Sequence, residues 1–205
     1  MQTEIRKRLS AEERQEEIVR VAIELAAERG VDSVTTQDMA EQMHVTQGAI
    51  FRHFPTKDDI WVAAMQWVRQ RLMQVLGKAA AGAENPLDCI ERMFHAHIAF
   101  IHKHPAIPRL LFSEHLHQRN SKLKQLIQEI MSGYEAKIAA LLEEAKQQGL
   151  AHTDLDTKYA AILYIGMIQG LVMQASIFGE KRLLVASAAQ VFPVFLYGIR
   201  SKKND

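Results

Sequence analysis

The chain has 205 residues, 48% of them hydrophobic, and a formal net charge of +1. Bulk charge this close to zero gives no argument for nucleic acid or an acidic surface; Cys89 stands alone, which excludes an internal disulfide and suits a reducing cytoplasm. Few Gly and Pro among abundant Ala, Leu, Ile, Gln and Glu favour an all-α chain with a sizeable core, and the charged N-terminus lacks the apolar centre of a signal peptide. We find no internal repeat and no low-complexity segment.

Residues 1–9 carry Arg6-Lys7-Arg8. A basic arm of this kind can reach a DNA backbone or minor groove; the alternative is a solvated tail. Ser10 and Glu13 have capping-box spacing, with Leu9 just before the cap, and predict a helix that runs to about Arg29 and ends at Gly30. Ile18, Val21, Ala22, Leu25 and Ala26 form its apolar face. Thr35 and Asp38 repeat the box and predict a short helix to about Met43, with Met39, Ala40 and Met43 on one side. His44-Val45-Thr46 makes a turn. Thr46 is the expected N-cap of a second short helix, from residue 47 to about 54. Ile50 and Phe54 lie on its buried side, and Gln47, Gly48, Ala49, Phe51, Arg52 and His53 are left outward. A short helix with small, amide and basic side chains at its start suits DNA reading, because Gln can take adenine in a bidentate pair and small residues let the helix sit deep in the major groove.

The run from 30 to 57 resembles the DNA-binding domain of the TetR family of bacterial transcriptional regulators. The resemblance is carried without gaps by Gly30-Val31, Thr35-Thr36, Asp38-Met39-Ala40, Val45, Gly48-Ala49-Ile50-Phe51, His53-Phe54 and Thr56-Lys57. It covers residues 9 to about 80, and beyond that it is one of architecture. It implies that Gln47, Gly48 and Ala49 approach base edges, and that Gln37 reaches a base from the preceding helix. Thr36, Phe51, His53 and Lys57 would meet phosphates or sugars, with Arg52 beside them. Lys57 would sit at a helix N-terminus, where the dipole already favours an anion. Phe51 stands where the family commonly has Tyr, so that contact would be apolar. His44 stands where Gly is common, and His tolerates a left-handed backbone better than most residues.

Local charge does not make the head basic: residues 1–57 hold 8 Lys and Arg against 10 Asp and Glu, and residues 58–205 hold 17 against 14. The DNA reading therefore rests on the motif. We divide the chain into a helix-turn-helix domain, 1–56, and a ligand-binding and dimerisation domain, 57–205. A helix from 57 to about 81, roughly 36 Å long at ~1.5 Å per residue, links the two. Asp58 and Asp59 suit its first turn, and Trp61, Ala64, Met65, Val68, Leu72 and Leu76 can pack inward. The breaker GKAAAGAENP follows. Further helices are predicted from 87 to 104, with Cys89, Ile90, Met93, His97, Phe100 and Ile101 on its inner side. Pro105 and Pro108 are read as a break before a short helix from 109 to about 116. Asn120 or Ser121 caps a long helix that Gly149 stops near 148. Asp154-Leu155-Asp156 begins another that reaches Gly179. The last runs from 182 to 199, with Leu184, Val191, Phe195 and Leu196 apolar and Pro193 expected to kink it. Lys202-Lys203-Asn204-Asp205 is a tail.

Residues 159–178 carry no charge. Twenty such residues are long enough to span a membrane, but Gln169, Gln174 and Ser176 interrupt them. The reading preferred is a helix buried on both sides, one against its own domain and one against a second subunit. Gly166, Gly170, Met173, Gln174, Val191 and Phe195 are the candidate interface. The resemblance implies the same: a homodimer through a four-helix bundle of the last two helices of each subunit. Trp61, Met65, Met93, His97, Phe100, Phe112, Tyr134, Tyr164, Met167 and Ile168 are the candidate lining of an effector pocket, since Met and aromatic side chains suit an adaptable apolar site; plain core packing is the alternative for each.

Six histidines fall between 95 and 117: His95, His97, His102, His104, His115 and His117. Imidazoles suit zinc, copper or nickel, so a metal-responsive regulator is a second reading, although no His pair has i,i+4 spacing and the preferred reading assigns no metal site. Gly-rich phosphate loops, GxSxG and HExxH are absent, and Cys89 on an apolar face reads as core, so an enzyme or a pure interaction module is the weaker alternative. The expectation is an all-α, cytoplasmic homodimer that binds a palindromic operator in double-stranded DNA as a repressor. A small apolar or aromatic effector would release it, with no cofactor, no catalytic residues and no membrane.

Overall fold

The computed structural model describes residues 10–113, 118, 120–179 and 181–201, apart from the side chains of Lys181 and Arg182. Arg6-Lys7-Arg8, His115, His117 and the 202–205 tail lie outside them. The described residues form helices and no strand. In chain order these are α1 Ala11–Arg29, α2 Thr36–Gln42, α3 Gln47–Phe51, α4 Lys57–Ala80, α5 Pro86–Lys103, α6 Ala106–Leu111, α7 Ser121–Gln147, α8 Thr157–Phe178 and α9 Lys181–Ile199.

Capping fixes where the first helices start. Ser10 and Glu13, Thr35 and Asp38, and Thr56 and Asp59 each form a reciprocal capping box. Each satisfies backbone donors that a helix start leaves unpaired. The third box has the same Thr-x-x-Asp spacing as the second. Gly30 and Gly149 adopt positive φ, at 83° and 69°, where α1 and α7 stop, a conformation that costs glycine little. Among the described non-glycine residues His44 alone has positive φ, at 53°, in the turn between α2 and α3.

Two predicted boundaries are corrected. The reading helix is α3, Gln47–Phe51, three residues shorter than expected. Ile50 O accepts from both His53 N and Phe54 N, a tightened last turn ahead of Pro55, which restricts the residue before it. Thr46 holds the N-cap position, yet its side chain makes no capping bond. The short sixth helix begins at Ala106, not Arg109, and ends at Leu111. Pro108 falls in its first turn, where a missing N–H breaks nothing. α9 spans Lys181–Ile199 with Pro193 inside it, as the sequence led us to expect.

α1, α2 and α3 close a small core with Ile18, Ala22, Leu25, Val31, Val34, Met39, Ile50 and Phe54 all buried, and Trp61 of α4 is fully buried. α4 packs against α1 at one end and against α5 and α7 beyond, so one helix belongs to both units. α5 buries a wider face than expected, adding Phe94 and Ile98, because α4, α7 and α9 all pack on it. α8 lies against α7 and α9. It is long and apolar enough to cross a membrane by length and composition, but one face of it fills this core with Ala161, Tyr164, Ile165 and Ile168.

Candidate nucleic-acid interface and ligand cavity

α3 is too short to hold itself together, since isolated helices below ~12 residues are marginal in water. Ile50 is its buried residue, and Phe54 follows in the turn. Docking through that one side turns the other outward. Gln47, Gly48, Phe51 and Arg52 are exposed, and Ala49 and His53 half-buried. A Cβ on Gly48 would meet Thr46 Oγ1 at 3.9 Å, ordinary contact, so glycine here keeps the surface low rather than relieving a clash.

The side chain of Gln47 is already oriented. Its amide Nε2 donates to Thr36 Oγ1 at 2.7 Å, and Thr36 is 7% exposed. Thr36 accepts this bond through its hydroxyl oxygen and keeps its own O–H to donate. With Nε2 engaged, Gln47 has its carbonyl oxygen free to accept from a base edge. Gln37 is exposed and its amide donates to Glu41 Oε1 at 2.9 Å. His53 offers its carbonyl to Gln15 Nε2 at 3.4 Å. Lys57 is the first residue of α4, at the positive end of the helix dipole. The Arg29 guanidinium bridges to Asp38 at 3.1 Å and ties α1 to α2, so Arg52 and Lys57 are the cations beside the reading helix.

Behind the head lies an apolar cavity of about 80 Å³. α4 contributes Met65, Val68, Arg69 and Leu72, α5 His97, Phe100 and Ile101, and α6 Ile107, Pro108 and Leu111, followed by Phe112. α7 adds Ile130, Met131 and Tyr134, and α8 Ile165, Ile168, Gln169 and Val172. A wider cleft of about 300 Å³ adjoins it through Ile101, Pro108, Phe112 and Val172, and carries His102, Arg109 and Ser176. Of the predicted lining, Met65, His97, Phe100, Phe112, Tyr134 and Ile168 meet at the cavity. Trp61 is in the head core, Met93 and Tyr164 are buried behind it, and Met167 faces a groove with Val191 and Phe195 instead. Ile165, Gln169 and Val172 share a face of α8 with Ile168 at helical spacing, and that face, not the one with Met167, borders the cavity.

The polar groups near the cavity are few. Tyr134 and Tyr164 pair hydroxyl to hydroxyl at 3.2 Å, and Tyr164 can donate to Ile90 O at 3.4 Å. Burial pushes both phenols above their ordinary range. His97 packs its ring 5.4 Å from that of Tyr134, and its Nδ1 is buried without a hydrogen-bond partner. Burial lowers its pKa to about 4, so the ring is neutral at pH 7. The Cys89 thiol is buried and raised by that burial, the opposite of an activated nucleophile. Among the described residues no three His, Cys, Asp or Glu side chains come together as a metal site; His95 packs on Phe94 and Phe192, and His104 on Trp67 and Phe100.

Two polar ties join this region to the head. Arg109 Nη1 donates to Ala27 O at 3.1 Å, from α6 to α1. Asn120, 6% exposed, caps α7 through its Oδ1 and donates from Nδ2 to Asp58 O at 3.2 Å, at the start of α4. α6 thus touches both the cavity and the head.

The outer faces of α8 and α9 stay apolar and uncovered. Ile162, Leu163, Met173, Ile177 and Phe178 are exposed on α8, and Val194 and Tyr197 are 73% and 83% exposed on α9. Gly166, Gly170 and Gln174 are exposed among them, and Val191 is half-buried. Phe195, expected here, lies in the subunit's own core, 4% exposed, with its ring 6.0 Å from those of Tyr164 and Phe192.

Residues 18–64 match the family model for bacterial regulatory proteins of the tetR family, and residues 68–198 match that for the C-terminal region of YsiA-like protein. The nucleoid occlusion factor SlmA of Haemophilus ducreyi is 28% identical over 147 residues, covering 71% of this chain and 73% of its own. The transcriptional regulator FadR of Bacillus subtilis, solved in complex with stearoyl-CoA, superposes with a TM-score of 0.78 at 22% identity, over 90% of this chain and 98% of that one. A Saccharomonospora viridis regulator in complex with choline superposes at 0.83 and 20% identity, over 93% and 100%.

Proposed function

The chain belongs to the TetR family of bacterial regulatory proteins, and from that premise we propose that it is a cytoplasmic transcriptional repressor, bound to a palindromic operator as a homodimer and released by a small apolar ligand. It has the DNA-binding fold of transcription regulators, and its family and structural neighbours are regulators rather than enzymes. The observation that carries the reading is α3: a five-residue helix docked by Ile50, which presents Gln47, Gly48, Ala49, Phe51 and Arg52 outward with the Gln47 amide held by Thr36. Gln47 reads base edges, and Arg52, His53 and Lys57 meet the backbone. Gln37 reaches a flanking base once it leaves Glu41.

One such helix touches too few base pairs to select a genomic site; two related by a two-fold axis read a palindrome with half-sites about one turn apart. The uncovered apolar faces of α8 and α9 support the pairing, since contiguous apolar surface of this kind marks an interaction site. Gly166 and Gly170 have nothing within 4 Å of an added Cβ, which leaves room for a partner helix to approach.

The apolar cavity supports an apolar or aromatic effector, and the adjoining cleft with Arg109 and His102 favours one whose outer end is anionic, as the phosphate-bearing coenzyme A end of the stearoyl-CoA bound by the FadR neighbour is. Filling the cavity displaces α6 and α4, and the ties from Arg109 to Ala27 and from Asn120 to Asp58 carry that shift to the head. The effector weakens DNA binding only as far as it prefers the shifted state.

A pair of substitutions tests the reader. Gln47→Ala relaxes base preference in a selected-site profile, whereas Lys57→Ala weakens binding about equally on all sequences and flattens its salt dependence. An unaltered profile for Gln47→Ala would remove Gln47 from the bases.

A further inference from the structure

We propose that the effector carries one hydroxyl on its apolar body, and that this group pairs with His97 Nδ1 inside the cavity. The inference deepens the proposed ligand site and rests on it. Buried polar atoms in folded proteins nearly always have a partner, so an unpaired one calls for a reason. Among the described residues two buried side-chain atoms have none, His97 Nδ1 and Trp61 Nε1. They differ in what lies beside them. The void next to Trp61 is too small for a water, whereas the His97 ring borders the main cavity, so that a turn of the ring brings Nδ1 to it.

A water is a poor partner there. It needs two to four polar contacts, and the lining is almost wholly apolar. The nearby phenols are satisfied by each other and by Ile90 O. Neutral imidazole has one donor nitrogen and one acceptor, and a hydroxyl satisfies Nδ1 in either tautomer because it both donates and accepts. A carboxylate at the same depth would be buried beside an uncharged ring, with the Arg69 side chain on an exposed residue as the cation of the lining. The hydroxyl therefore belongs at the inner end, and any charge at the cleft.

Two probes of matched shape decide it: 4-hexylphenol and 4-hexyltoluene, titrated into the full chain by calorimetry. Wild type binds the phenol about tenfold more tightly or better. His97→Phe, with its ring kept and its nitrogens removed, binds both alike, and His97→Asn, which restores a polar atom near the Nδ1 position, recovers part of the preference. Circular dichroism establishes that each variant is folded, and His97→Asn serves alone if the Phe variant is not. Equal affinities in wild type, or a preference that survives in His97→Phe, would overturn the hydroxyl pairing and leave the apolar site standing. Binding of neither probe by folded wild type would overturn the site itself, and this inference with it.

Discussion

Ile50→Ala tests whether the reading helix is held by one side chain. Ile50 is fully buried, so the substitution removes three carbons from an apolar site, worth ~2.4 kcal/mol at ~0.8 kcal/mol per carbon. The cavity left behind raises the total to roughly 3–4 kcal/mol, within the usual range for such truncations. α3 has five residues and no capping side chain, so it has no local stability to offset the loss. If the whole cost falls on docking α3, 3 kcal/mol corresponds to about a hundredfold in affinity. The assay is urea unfolding beside a titration on the selected operator. Ile50→Val, which removes one carbon, costs about 1 kcal/mol and less than tenfold in affinity. Wild-type affinity for Ile50→Ala, with less than 1 kcal/mol lost, would refute the anchoring argument.

His97 gives a pH signature. Its folded pKa, about 4, lies below the ordinary 6.5, so the unfolded ring binds its proton first as pH falls. The stability this contributes is present above pH 6.5 and is lost between 6.5 and 4, about 3 kcal/mol in all at ~1.36 kcal/mol per unit. His97→Phe lacks that component, and parallel stability–pH curves for the two proteins would contradict the burial argument. Val194→Asp places a charge on the uncovered face of α9; sedimentation shows a dimer for wild type and a monomer for the variant, and an unchanged dimer would move the interface elsewhere. Asn120→Ala removes the cap of α7 and its tie to Asp58 O. It lowers unfolding free energy by roughly 1–2 kcal/mol, and a change below a few tenths would mean that water replaces the cap.

The head was legible because its signals are local. Ser10-x-x-Glu13 and Thr35-x-x-Asp38 mark helix starts within four residues, and Gly30 marks an end. The ligand domain was legible as helices but not as faces. α8 is apolar on every side, so its sequence has no phase, and nothing in it separates Ile165, at the cavity, from Met167, at the outer groove. α9 failed in the same way: Val194 and Tyr197 are as apolar as Phe192 and Phe195, and only packing against Phe94 and Tyr164 decides which pair goes inside. α6 starts before the position its sequence suggests because Pro108, a breaker in a helix interior, is harmless in the first turn. The bond from Gln47 to Thr36 spans eleven residues, a distance at which side-chain pairing has no sequence signature.

The most direct test of the account is selection of bound fragments from random-sequence duplex DNA, run at two salt concentrations with the stoichiometry of the selected complex measured. The account predicts a palindrome with half-sites about one helical turn apart, two chains bound per site and affinity that falls with salt. Recovery of no preferred sequence, or of a single unrepeated half-site held by one chain, would contradict it.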